Sequence, residues 1–125
     1  MELSPRRFDT AVVVAPTGRI DQSNVDAFQG ALAAYLQTCA EGQQQVILDL
    51  SGLEYISSAG LRVLMLAAKQ SKAQKGTLLL TGLQPLVKEI LEISKFTTVL
   101  TILPSLRDAL AKASPAALAA FEKAA

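Results

Sequence analysis

The sequence predicts an α/β domain: a mixed sheet of four or five strands, begun by an N-terminal hairpin, with about four helices mainly on one face. Three observations lead there. An irregular strand candidate, Leu3 to Phe8, and a β-branched run, Ala11 to Ala15, open the chain with a turn candidate, Asp9-Thr10, between them. After them, runs suited to strands alternate three times with stretches whose apolar residues recur at helical spacing. Of the 125 residues, 50% are hydrophobic, enough for one domain with a core of its own and too few residues for two comfortable ones. Such alternation gives parallel later strands, and the hairpin gives an antiparallel start.

Leu3 to Phe8 reads as an irregular first strand, which Pro5 confines to a sheet edge. Ala11 to Ala15 is a β-branched run and a firmer strand. Pro16-Thr17-Gly18 ends it, and Arg19 to Asn24 is a polar connector. Ser23, followed by Asp26, resembles a capping box with aspartate in place of the usual Glu or Gln. Val25, Phe28, Leu32, Tyr35, Leu36 and Cys39 then share one helical stripe, which Gly42 closes. On that stripe Cys39 reads as a buried core thiol.

Val46 to Leu50 is a buried strand, apolar on both faces except at Asp49. An aspartate near the C-terminal end of such a strand either caps a loop amide or serves a ligand. A short loop leads to Ser57 and Ser58 at the mouth of a helix with the core stripe Leu61, Leu64, Met65 and Ala68. Arg62, Leu66 and Lys69 form a second stripe on a face expected to be exposed, where the leucine offers a partner contact. Lys72, Lys75 and Gly76 end this helix. Thr77 to Thr81 is the next strand. Pro85 opens a helix with apolar positions at Leu86, Ile90, Leu91 and Ile93, and Val99 to Leu103 is a last strand. Pro104-Ser105 starts a helix carrying Leu106, Ala109 and Leu110. The domain is expected to span residues 1–114, and 115–125 to be an alanine-rich helical tail docked through Leu118 and Phe121.

Composition narrows the function by exclusion. Twelve Lys and Arg against eleven Asp and Glu leave a net charge of +1, with no basic cluster suited to a nucleic acid or a membrane surface. Histidine is absent, which removes the commonest general base and the commonest metal ligand. Gly52 and Gly60 make neither a P-loop nor a dinucleotide fingerprint, and Ser58 is not in a G-x-S-x-G elbow. No metal, cofactor or enzymatic activity is therefore expected. The single cysteine excludes an intrachain disulfide, and no apolar run suggests a secretory signal or a membrane span. The expectation is a cytoplasmic protein. On local physics, one serine of the pair is the helix cap and the other fits a tight turn.

The stretch from Val46 to Leu64, VILDLSGLEYISSAGLRVL, closely resembles the signature of STAS domains, specifically the bacterial anti-sigma factor antagonists. Gly18-Arg19-Ile20-Asp21 resembles the Gly-x-Leu-Asp motif that precedes the first helix in that family. The resemblance covers all but about the last ten residues, and it implies the STAS fold and a phosphorylation-controlled partner switch. In the family a serine just after an aspartate, in Asp-Ser-Ser-Gly-Leu or Asp-Ser-Ala-Gly-Leu, accepts phosphate. Carried over, the acceptor is Ser58, with Ser57 as second choice, and Ser57 stands where the family usually has the aspartate. The implied partner is an anti-sigma factor that is itself a GHKL-type serine kinase and binds the ATP. A PP2C-type phosphatase would reverse its action. Asp21, Ser57, Ser58, Ala59, Gly60, Arg62 and Leu66 are the expected contact residues. The competing expectation is a STAS subunit of a transporter or signalling assembly, never phosphorylated.

Overall fold

The structure, a computed structural model, describes residues 1–124; Ala125, the last residue of the expected tail, lies outside the described residues. Strands β1 (Arg6–Phe8) and β2 (Ala11–Val14) form the expected antiparallel hairpin, with Arg7 opposite Val12. Asp9 turns the chain at φ 55°, a conformation that aspartate tolerates better than most residues. Strands β4 (Gln45–Asp49), β6 (Leu78–Thr81) and β7 (Ile102–Leu103) then add in parallel, giving the order β1-β2-β4-β6-β7. Register pairs Val12 with Val46 and Val46 with Leu78, so apolar side chains line up across the sheet.

Both faces of this sheet are covered. Val12, Val14, Val46, Leu48, Leu78 and Leu80 point to one side, where they meet helices α1 (Val25–Leu36), α2 (Ser58–Ala73) and α3 (Pro85–Ile93). Ala11, Val13, Ile47 and Leu79 point to the other, against α4 (Leu106–Ala113) and α5 (Pro115–Ala124). The fold class is the expected one, but the five helices among the described residues do not lie mainly on one face: three cover one side and two the other, because Ala11, Val13, Ile47 and Leu79 give the sheet a second apolar face. The second face is closed by Ala109, Leu110 and Ala117, all fully buried, and by Phe121, whose ring meets Phe8 edge-on at 5.4 Å. Full burial of a side chain such as Phe28 or Leu32 contributes about 1.5–3 kcal/mol.

Several local expectations are corrected. A second, two-stranded parallel sheet pairs β3 (Gly18–Ile20) with β5 (Leu53–Ile56), in stretches read as connector and loop. Helix α1 ends at Leu36, not beyond Cys39. The buried Cys39 instead donates its S–H to the Thr77 carbonyl, and Gln74 Nε2 donates to the carbonyls of Leu36 (2.8 Å) and Cys39 (2.7 Å). Those bonds satisfy a helix end whose last carbonyls have no donors within the helix. Burial, opposed by backbone hydrogen bonds, pushes the Cys39 thiol pKa up, which keeps it protonated. On α3 the buried apolar residues are Val87 and Leu91, while Leu86 and Ile93 face outward. The last strand shortens to Ile102–Leu103, because a 3₁₀ turn at Phe96–Thr98 delivers the chain to it. Asp49 takes the loop-capping role: its Oδ1 accepts from the Ser51 amide at 3.1 Å. No helix among the described residues is long and apolar enough to cross a membrane.

Candidate functional site

The site is built on the small β3–β5 sheet. The Ser57 amide donates to the Ile20 carbonyl at 2.9 Å, extending the parallel pairing by one residue before the chain turns into α2. Ser57 is extended (φ −82°, ψ 172°), and its Oγ accepts from the Gly60 amide at 3.2 Å. It is the N-cap. Ser58 is the first helical residue, exposed, and its hydroxyl has no hydrogen-bond partner among the described residues. The cap expected of one serine of the pair is thus Ser57, whereas Ser58 lies inside the helix and not in the tight turn expected of the other. Serine and aspartate are about equally good N-caps, so Ser57 fills the structural role of an aspartate without its charge. Replacing Ser57 with alanine is expected to destabilise the fold by about 1 kcal/mol, lowering Tm by roughly 4 °C in a thermal melt. An unchanged Tm would remove Ser57 from the capping role.

Gly60 lies beneath this surface, not on it. A Cβ there would sit 2.6 Å from Ile56 Cγ1 and 2.9 Å from Ile20 Cγ2. Both distances are shorter than packed carbons tolerate, so only glycine lets the first turn of α2 lie against β3 and β5. Gly60 therefore fixes the height of Ser58 above the sheet.

Asp21 ends the β3 connection in a closed web of polar bonds. Its carboxylate accepts from the Ser23 amide and hydroxyl, and its amide donates to Asn24 Oδ1 at 2.9 Å. Asn24 Nδ2 in turn donates to the Arg19 carbonyl at 2.7 Å. The Ser23 hydroxyl and then the Ser23 amide hold the Asp21 carboxyl below the usual carboxylate range, against an opposing effect of desolvation, and the Arg19 charge adds the least. The capping box expected of Ser23 and Asp26 does not form. Asp21 captures the Ser23 hydroxyl, Asn24 takes the N-cap position of α1, and no side chain caps that helix.

Two shallow depressions meet at Ser58. One, of about 540 Å³, is lined by Arg19, Asp21, Ser23, Tyr55, Ser57, Ser58 and Ala59. The other, of about 390 Å³, lies between α1 and α2 and is lined by Asp26, Gln29, Ser58, Ala59, Arg62 and Leu66. Six of the seven expected contact residues thus share one continuous surface, with Gly60 under it. Arg19 and Tyr55 are additions that the sequence reading lacks. The Arg19 guanidinium stacks over the Tyr55 ring at 4.3 Å, a cation–π contact at the floor of the first depression. Tyr55 and Ser57 are two apart on an extended chain and share a side, a signal available once Leu53–Ile56 is taken as a strand. No group of His, Cys, Asp and Glu among the described residues could hold a metal.

Residues 3–109 match the STAS domain family model. Over 118 residues the chain is 38% identical to a protein of Bordetella bronchiseptica described as "Putative anti-sigma factor antagonist BtrV", covering 94% of this chain and 98% of that one. Among solved structures it resembles an anti-sigma-factor antagonist (STAS) domain protein from Planctomyces limnophilus, with a TM-score of 0.78, 20% identity and coverage of 90% and 98%. It also resembles an anti-sigma factor antagonist from Mycobacterium paratuberculosis, with a TM-score of 0.77, 21% identity and coverage of 87% and 90%. Fold, signature and sequence likeness agree, and the chain belongs to the STAS domain family, among the relatives of bacterial anti-sigma factor antagonists.

Proposed function

We propose that this protein is an anti-sigma factor antagonist working in the cytoplasm, controlled by phosphorylation of Ser58. Unphosphorylated, it binds an anti-sigma factor that is also a GHKL-type serine kinase, and so frees that factor's client. The kinase, using its own ATP, phosphorylates Ser58 and ends the complex; a PP2C-type phosphatase restores it. The chain itself has no catalytic role and carries no cofactor.

The observation that supports this reading most is the exposed Ser58 hydroxyl, free of structural duty beside a neighbour that does the capping. A kinase can reach such a hydroxyl without unwinding the helix. The added phosphate, carrying about two negative charges, lies at the positive end of the α2 dipole, which the domain tolerates. A partner surface shaped for a hydroxyl does not. Isolation of the protein from its native cell with its bound proteins should yield such a kinase. Incubated with that kinase and ATP, the chain should gain one phosphate, mapped to Ser58 by mass spectrometry. Absence of the phosphate, with a transporter or ATPase as the recovered partner, would favour the constitutive-subunit reading instead.

A further inference from the structure

We propose that Arg62 is an intramolecular receiver for the phosphate on Ser58, so that phosphorylation withdraws a cation from the contact surface as well as adding negative charge to it. This rests on the reading of Ser58 as the acceptor. Ser58 and Arg62 are four residues apart at the start of α2, on one helix face and bordering one depression. Side chains on a helix lean toward its N-terminus, so a long residue at i+4 reaches back over residue i. An anion at i with a cation at i+4 is the favourable order of such a pair. Guanidinium also suits phosphate, offering two parallel N–H donors to its oxygens.

The charges around Ser58 make Arg62 the available partner. Among the described residues the ion pairs join Arg6 to Asp49 and Arg107 to Glu122, and Arg62 has none. Arg19, across the other depression, is already stacked on Tyr55 and near Asp21. The Asp21 carboxylate is taken up by Ser23. Asp26 of α1 borders the same depression as Arg62 and forms no ion pair with it. Among the described residues it is the carboxylate that lines this depression. Ser57, being neutral, does not compete for Arg62.

The consequence is a two-part loss of binding surface. In the unphosphorylated chain Arg62 and Leu66 stand exposed side by side on the α2 stripe, a cation next to an apolar contact. Once Arg62 folds back onto a phosphate, that cation is neutralised and the stripe presents a different charge pattern to the same partner.

The test uses the 125-residue chain with phosphoserine incorporated at position 58 during synthesis, so it does not depend on any kinase. The second phosphate pKa, about 6 for a free phosphoserine, is read by ³¹P NMR titration. R62A is expected to raise it by about half a unit relative to the parent phosphoprotein. R62K should recover part of that shift, D26N should lower the value, and R19A should move it less than R62A does. Identical titrations for parent and R62A, or a larger effect of R19A, would overturn the proposal. Failure of a native kinase to modify Ser58 would defeat the switch reading alone, leaving the titration result standing.

Discussion

Ser58→Asp is expected to weaken the complex with the proposed anti-sigma kinase on the order of 100-fold, about 3 kcal/mol, while Ser58→Ala binds within a few-fold of the parent. The asymmetry follows from what each change leaves behind. Alanine removes a hydroxyl that has no hydrogen-bond partner among the described residues and is exposed to solvent, so little is lost. Aspartate places a charge where the interface must close, and an uncompensated charge in a desolvated contact costs several kcal/mol. The same aspartate sits in the first turn of α2, where the dipole contributes a few tenths of a kcal/mol in its favour. The variant should therefore fold at least as well as the parent. Titration calorimetry on the two variants, with melts run beside them, separates binding from folding. Equal affinities for Ser58→Asp and the parent would remove Ser58 from the interface.

Gly60→Val should destabilise the domain by roughly 3 kcal/mol or more, a large share of a typical total of about 5–15 kcal/mol. Two effects compete at this position. A non-proline side chain replacing glycine in a helix gains up to about 1 kcal/mol of propensity. Against it stands the overlap of a Cβ with Ile56 and Ile20 at 2.6 and 2.9 Å, and overpacking of that kind costs about 1–3 kcal/mol before valine's two further methyls are counted. Overlap wins. Gly30, in the exposed middle of α1, supplies the opposite case, because a Cβ added there would meet nothing within 4 Å. Gly30→Ala should stabilise by about 0.5–1 kcal/mol. Urea unfolding of both variants checks the pair. A Gly60→Val protein as stable as the parent would mean that α2 does not need this close approach.

The sequence made some elements plain because their signal is internal. β2, β4 and β6 are runs of Val, Ile and Leu, and α2 carries its own cap and a core stripe in which Leu61 and Leu64 are buried. The elements that escaped depend on distant partners. Gly18–Ile20 and Leu53–Ile56 are three and four residues long, and each becomes a strand only by pairing with the other across the intervening α1 and β4. Neither has a periodicity of its own to display. The Ser23–Asp26 capping box failed for a related reason: Asp21, two residues earlier, competes for the same hydroxyl. On α3 the choice between Leu86 and Val87 for the buried face follows from how the helix lies against β5, which residue type alone does not determine. Ser58, Ser57 and Arg62 were legible at the site, whereas the Arg19–Tyr55 stack needed the small sheet to bring it together.

The division between Ser57 and Ser58 makes chemical marking nearly orthogonal to folding. The hydrogen bond that caps α2 ends on one oxygen, and the proposed phosphate goes on the other. By thermodynamic linkage, a mark that leaves the folded-to-unfolded balance within about 1 kcal/mol is itself added and removed at nearly the same free energy whichever state the chain is in. Under the proposed switch, phosphorylated and unphosphorylated copies then differ in stability by no more than about 1 kcal/mol.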